Sequence, residues 1–407
     1  MRIVYLFTCF PVKTETFLQR EVRAMRERGD IEIELWSLWR GKAEWEGMRV
    51  CRYPFLSIFR VIFFKIPLWA WRCPAVLRRV WSGYMSESPP GLLNIGENLL
   101  GLAFALDKGD FFRARPPDLF HAVWGTMPAA AAWLLREITG IPFSMGAHAY
   151  DIFCRGGDWT LRQKLARARL IHTTTDMARG RLLELGADPR RVHLIRRGID
   201  APPVPAASVQ PRTDAGVLRI LSIGRLVPKK GFLAQIEIYR ALRDAGARFA
   251  AHIVGEGNLA SEINRRIAAA GLNNFVSLLG HLDYEAVSAQ FDWADVFVFT
   301  GIVADDGDRD GLPNVIPEAM AHGVPVVSTP TAGTTEAITH EVTGQIVASN
   351  DIVGWTHALC RVRDDPVFTA RTCAAARLWV EREFCARTNA ARLARELTAS
   401  PNVNSGS

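Results

Sequence analysis

The chain has no Cys-x-x-Cys pair among its seven cysteines (Cys9, Cys51, Cys73, Cys154, Cys360, Cys373, Cys385), and their number is odd. Such a dispersed set argues against a disulfide framework or a structural zinc site and fits a reducing cytoplasm. Long hydrophobic runs are missing too. The apolar stretch Tyr53–Trp71 is interrupted by Arg60 and Lys65, short of the roughly 20 apolar residues that a spanning helix needs. The apolar run to Phe10 is followed by a polar, helix-like stretch without a small-residue cleavage signature, so no signal peptide is expected. No repeat of short period is seen. With 49% hydrophobic and 22% charged residues, disordered, collagen-like and coiled-coil classes drop out.

What is present is length and an uneven charge. The 407 residues suffice for two or three domains, at roughly 100–200 residues each. The net charge of +7 is concentrated: residues 1–200 carry 30 basic and 20 acidic side chains, the remainder 19 and 22. A basic front half points to an anionic partner there, whether a membrane surface, a nucleic acid or a phosphorylated substrate. Nucleic acid is the least favoured, because the charge sits beside clustered aromatics and no recognisable nucleic-acid module is present. Between Cys51 and Ser86 there is no acidic residue, against six basic ones, four Phe and three Trp. Lone cations among aromatics suit the lipid headgroup region, so this segment is expected to touch a membrane without crossing it. The plainer alternative is a half-buried helical insertion whose cations face water.

Strand-like apolar runs alternate with helical patterns along most of the chain. Ile3–Phe7, Ile31–Leu38, Leu119–Trp124, Ile141–Ala147 and Leu170–Thr175 lie in the first half; Val217–Ile223, Phe249–Val254, Asp295–Thr300 and Val324–Ser328 lie in the second. This alternation predicts βαβ units and mainly parallel sheets, whose ligands bind at the carboxyl ends of the strands. Ala201–Pro211, with four prolines and no charge, reads as an interdomain linker. The chain closes with a helical run, 367–398, and a polar tail.

Four motifs carry chemistry. Asp310-Gly311-Leu312-Pro313-Asn314 leads into a helix whose first-turn N–H groups favour a phosphate, with Glu318 eight residues after Asp310. Gly224–Gly231, directly after a strand, offers Arg225 as a fork and Lys230 as a point charge for a diphosphate. Gly255-Glu256-Gly257 follows the next strand; its glycines suit tight packing and close approach of a nucleotide better than a nicotinamide or flavin fingerprint. His148 stands just past the run Ile141–Ala147, where an imidazole suits hydrogen bonding to a sugar or a proton shuttle, and Asp151 is spaced to orient it. Each has a bland counterpart: a helix-face acid, a solvated basic loop, a structural histidine. The acidic run Asp305-Asp306-Gly307-Asp308 lacks the length and closing Glu of a calcium loop and reads as a solvated lead into Asp310.

In this order and in these two halves, the motifs resemble the retaining glycosyltransferases of family 4, over essentially the whole chain. Among them the pattern is similar to bacterial enzymes of exopolysaccharide and other surface glycans, which share an opening like Phe10-Pro11-Val12-Lys13-Thr14-Glu15-Thr16-Phe17. That family's E-x7-E motif falls on Asp310 and Glu318, with the shorter acid first, and its GRxxxxKG loop matches at Arg225 and Lys230. The HxxD-like element falls on His148 and Asp151, and the interdomain Gly-Ile-Asp on Gly198-Ile199-Asp200.

The resemblance implies an α/β protein of the GT-B fold, two Rossmann-like domains facing across a cleft. Residues 1–200 would bind the acceptor, 201–213 link, 214–366 bind the donor, 367–398 cross back as a helical segment, and 399–407 form a disordered tail. It implies a nucleotide-diphosphate sugar as donor, UDP-sugar favoured over GDP-mannose. Arg225, Lys230 and the N–H groups near Leu312, Pro313 and Asn314 would hold the diphosphate, with Gly255 and Gly257 close to the nucleotide. Glu318 would take the ribose, Asp310 the sugar hydroxyls, and His148 the same sugar near the acceptor. Thr14, Glu15, Thr16 and Asp151 are the acceptor-side candidates. The implied reaction is hexosyl transfer with retention to a lipid-linked or oligosaccharide acceptor, without cofactor or metal, at the inner face of the cytoplasmic membrane. A sugar-nucleotide epimerase of the same fold and a non-catalytic membrane scaffold remain as alternatives.

Overall fold

The computed structural model describes residues 1–12, 15–199, 216–331 and 333–399. Thr14, Asp200, the linker stretch 201–213 and the tail from 400 onward lie outside the described residues. The chain forms two compact units: Met1–Gly198 together with Ala386–Ser407, and Ile199–Cys385.

The first unit is built on eight strands: β1 (Arg2–Phe10), β2 (Glu32–Gly41), β3 (Glu44–Trp45), β4 (Met48–Arg52), β5 (Leu119–Ala122), β6 (Phe143–Gly146), β7 (Leu170–Thr173) and β8 (Val192–Leu194). Their order is β3-β4-β2-β1-β5-β6-β7-β8, and every pair but the β3–β4 hairpin is parallel. A parallel sheet is covered on both faces, so its strands are apolar throughout. Ile3 to Phe7 are all fully buried. Period-two alternation sends Val4 and Leu6 to one core and Ile3, Tyr5 and Phe7 to the other. Phe104 and Trp133, from helices Leu92–Ala114 and Met127–Thr139, complete the first core. Val22 and Met25 of helix Thr16–Glu27 close the second, with Leu393 and Leu397 of helix Ala386–Thr398.

The second unit carries β9 (Leu218–Ile223), β10 (Phe249–Val254), β11 (Val276–Gly280), β12 (Val296–Phe299), β13 (Val326–Ser328) and β14 (Gln345–Ile346). The order β11-β10-β9-β12-β13-β14 is all parallel. It reverses between β9 and β12, as the order of the first unit does between β1 and β5. Such reversals are where open α/β sheets bind ligands. Val296 and Val298 face one core while Phe297 and Phe299 face the other.

The closing helical run is two helices. Pro366–Glu383 packs Ala376 and Val380 into the second unit, and Ala386–Thr398 belongs to the first. At the crossover Ile199 donates its N–H to the Phe384 carbonyl at 2.9 Å. A Cβ on Gly198 would stand 2.1 Å from the Ala386 Cα, so only glycine fits there. Pro67 and Pro74 lie at helix starts in the apolar insertion, where a missing N–H does no harm. Among the described residues no helix is long and apolar enough to cross a membrane.

Candidate active site

In the second unit the loops after β9, β10 and β12 are stitched together by backbone. Leu226 N donates to Glu256 O at 2.8 Å, Leu259 N to Leu226 O at 3.0 Å, and Ile302 N to Lys229 O at 2.9 Å. A Cβ on Gly255 would meet Gly224 O at 1.9 Å, and one on Gly257 would meet Leu226 O at 2.3 Å. The close approach these two glycines permit is therefore to the Gly224–Leu226 backbone. They shape the loop that carries Arg225. Gly231 (φ +69°) serves the same end against the Thr300 carbonyl.

This stitching sets the charged groups. Lys230 Nζ lies 2.8 Å from Asp310 Oδ2 and 5.4 Å from the Phe299 ring centre. Burial alone would raise the pKa of Asp310, but the ammonium groups of Lys230 and Lys229 and the Arg225 guanidinium hold it below the ordinary value. Asp310 is thus an anion at neutral pH, acceptor-only toward hydroxyls. Arg225 is exposed and has no ion pair among the described residues. An unpaired fork at a strand end beside a lysine is the arrangement a diphosphate needs. The following helix runs Val315–Ala321, and its first i→i−4 bond is Glu318 N to Asn314 O. Leu312, Pro313 and Asn314 therefore form the approach to the helix. Glu318 lies in its first turn, half-buried and engaged.

In the first unit His148 follows β6 and is buried. Its ring packs 5.5 Å from Trp124 and 5.0 Å from His172, whose own ring stacks 5.4 Å from His121. Burial, then the Arg197 charge and the two neighbouring imidazoles, push its pKa well below the usual histidine range. His148 is a neutral imidazole at physiological pH, suited to hydrogen bonding and not to donating as an imidazolium. Asp151 does not orient the ring. Its Oδ1 accepts from the N–H groups of His148 (2.9 Å) and Ala149 (3.0 Å), and Oδ2 from that of Gly125 (3.0 Å). It clamps the loop after β6 to the loop after β5. Lys164, fully buried, supports the same loop by donating to Gly125 O (3.1 Å), Asn98 Oδ1 (2.8 Å) and Asp158 Oδ2 (2.5 Å). Glu15 precedes helix Thr16–Glu27 and Thr16 opens it; both are half-buried.

Two residues here escaped the sequence reading. Lys229 is buried, 3.0 Å from Asp308 and 3.7 Å from Asp310, so Asp308 is held by a lysine and is not simply solvated. The doubled lysine in the loop was a signal, but the pattern weighed only the second. Arg197 places its guanidinium 3.5 Å from the Phe17 ring centre and 5.1 Å from that of Trp124. Burial lowers its pKa to about 10, with Glu15, Glu21 and Asp151 opposing, while burial raises Glu21 to about 7. Its place one residue before Gly198 was the available clue.

Residues 14–198 match the family described as "Glycosyl transferase 4-like domain", and residues 218–365 match "Glycosyl transferases group 1". The chain is 28% identical over 367 residues to the putative colanic acid biosynthesis glycosyltransferase WcaL of Escherichia coli K12, covering 86% of this chain and 88% of that one. It is 37% identical over 167 residues to the amylovoran biosynthesis glycosyltransferase AmsK of Erwinia amylovora, a match spanning only 41% of either chain. Among solved structures, Anabaena Alr3699/HepE in complex with UDP and glucose superposes with a TM-score of 0.69 at 18% identity, over 98% of this chain and 99% of that one. Sucrose-phosphate synthase from Thermosynechococcus elongatus gives 0.72 at 15% identity, over 97% and 98%. At such identities the likeness speaks for the fold alone. That fold is GT-B, with two Rossmann-like domains.

Proposed function

The chain belongs to the glycosyltransferases that join a 4-like domain to a group 1 domain, and from that premise we propose a specific reaction for it. It moves a hexose, with retention, from a nucleotide-diphosphate sugar to a lipid-linked or oligosaccharide acceptor during synthesis of a bacterial surface polysaccharide. UDP-sugar is the preferred donor over GDP-mannose; HepE, a structural neighbour, holds UDP and glucose. AmsK is named for amylovoran biosynthesis and WcaL, as putative, for colanic acid biosynthesis.

The observation that carries the reading is the exposed Arg225, with no ion pair among the described residues, in the loop that also carries Lys230 of the Lys230–Asp310 pair. Arg225 and Lys230 stabilise the negative charge that grows on the diphosphate as the sugar departs. Asp310 accepts from hydroxyls of the transferred sugar, Glu318 from the ribose, and neutral His148 hydrogen-bonds the sugar. The bond from C1 to the phosphate oxygen breaks, the bond from C1 to the acceptor oxygen forms on the same face, and the departing phosphate takes the acceptor's proton. Because protein cations meet the leaving group, turnover is proposed to need no metal. Thr14, Glu15 and Thr16 are assigned to the acceptor side. Asp151 supports that side only by fixing the loops around it. The protein works at the inner face of the cytoplasmic membrane.

The test is mass spectrometry of reactions with pooled sugar nucleotides and a bacterial membrane-lipid extract. Nucleoside diphosphate should be released only when donor and extract are both present. A donor isomerised without any acceptor would make the protein an epimerase, and donor binding without turnover would make it a scaffold.

A further inference from the structure

The insertion between β4 and helix Leu92–Ala114 turns two sets of large apolar side chains in opposite directions. Trp69, Val80 and Tyr84 enter the core of the first unit, while Phe63, Phe64, Trp71 and Trp81 are 67, 71, 80 and 57% exposed. Phe59, Ile62, Phe63 and Ile66, along helical turns that include a π-helical stretch at Val61–Lys65, are all exposed. An apolar face of this kind on a soluble unit marks an interaction surface.

The segment's charges decide what covers it. Arg60 pairs with Asp107 (2.7 Å), Lys65 and Arg72 with Asp110 (2.8 and 3.0 Å), and Arg79 with Glu137 (3.0 Å). These carboxylates come from the neighbouring helices Leu92–Ala114 and Met127–Thr139. Four of the six cations that sequence alone would give to an anionic surface are therefore already engaged. The pairs also pin the segment to its support, so less ordering is needed on docking. Arg52 and Arg78 remain exposed, with no ion pair among the described residues. A second copy of the chain would bring these arginines against their own images, with no acid on the segment to meet them. A headgroup phosphate meets them, and acyl chains take the aromatics.

We propose that this segment seats the protein in the interfacial layer of a lipid bilayer, held by inserted Phe and Trp side chains rather than by attraction to anionic headgroups. The seating draws its purpose from the lipid-linked acceptor proposed above. It is read without any sugar transfer, so either reading can fail alone.

The experiment is co-sedimentation with vesicles of phosphatidylcholine alone, and of phosphatidylcholine with about 30% phosphatidylglycerol, at low salt and at about 0.5 M NaCl. Wild-type protein should bind both and keep binding in salt. Phe63→Ser with Phe64→Ser should weaken binding to both about tenfold or more, and Arg78→Ser less than about threefold, on the anionic vesicles only. All altered side chains are exposed, and thermal melts check that the variants stay folded. Binding confined to anionic vesicles and abolished by salt would overturn the proposal, as would no binding to either. Dimerisation without vesicle binding, broken by the Phe63→Ser, Phe64→Ser variant in ultracentrifugation, would give the face to a second copy and also overturn it.

Discussion

At the strand ends of the second unit, Lys229 pairs with Asp308 and Asp310, Lys230 pairs with Asp310, and Arg225 waits exposed beside them. At the strand ends of the first, the His172 ring stacks on His121 and packs at a tilt against His148, all three buried with their pKa values pushed down, and the Arg197 guanidinium lies 3.5 Å from the Phe17 ring centre. The second sheet presents paired lysines and carboxylates, the first neutral imidazoles beside the Arg197 cation. For the proposed transfer, the fixed charge of the second unit suits the negative charge that develops on a leaving diphosphate. Burial decides for the imidazoles, which start near neutrality and give up their charge in the sheet, while the guanidinium of Arg197, lowered to about 10, keeps its own.

The contrast can be broken at either end. Arg225→Ala should reduce turnover about 100- to 1,000-fold, read as nucleoside diphosphate release, since it removes a charge that meets the transition state. A loss under about threefold would mean that the exposed fork meets no diphosphate. Lys229→Met leaves Asp308 and Asp310 short of a counter-charge and should lower kcat about tenfold. Nucleoside diphosphate affinity, by calorimetry, should change little, and Lys229→Arg should restore part of the rate. His148→Ala should lower kcat by a similar or smaller factor, about tenfold or less. The sharper measurement is NMR of the His148 ring, whose titration should fall well below the ordinary histidine range; a midpoint near the ordinary 6.5 would dissolve the contrast.

The smallest effect is on stability. His121, His148 and His172 have folded pKa values below the unfolded one, His121 down to about 3. The unfolded chain therefore binds more protons as pH falls below about 6.5, and their contribution is progressively lost. Glu21 and Glu97, raised to about 7 by burial, act in the opposite sense between about pH 7 and 4.5. The first unit should thus weaken only gently to about pH 4.5 and steeply below it, in thermal melts across that range. A steep loss already at pH 6 would show the carboxylates to be ordinary.

The parallel sheets were legible because unbroken runs such as Ile3–Phe7 have few other uses. Arg225, Lys230, Asp310 and His148 were legible because each stands one step past such a run, or inside a spaced motif. What sequence could not supply was pairing across distance. The partners of Arg60, Lys65 and Arg79 are 45 or more residues away, so a segment that looked like bare positive charge is largely neutralised. Asp151 misled for a related reason, since three-residue spacing suits a backbone cap as well as an imidazole partner. The break at Phe384 and Cys385 was hidden because helix-forming residues flank it on both sides.

The crossover at Gly198 and Ala386 has a consequence for how the molecule is made. The sheet of the first unit is written in the opening 198 residues, but one of its faces is closed by a helix that follows the entire second unit. On a ribosome, the side of helix Thr16–Glu27 that packs against this last helix would wait uncovered for roughly ten to forty seconds of further synthesis. The domain begun first is finished last, and the second unit, contiguous in the chain, can complete its core while the first is still open.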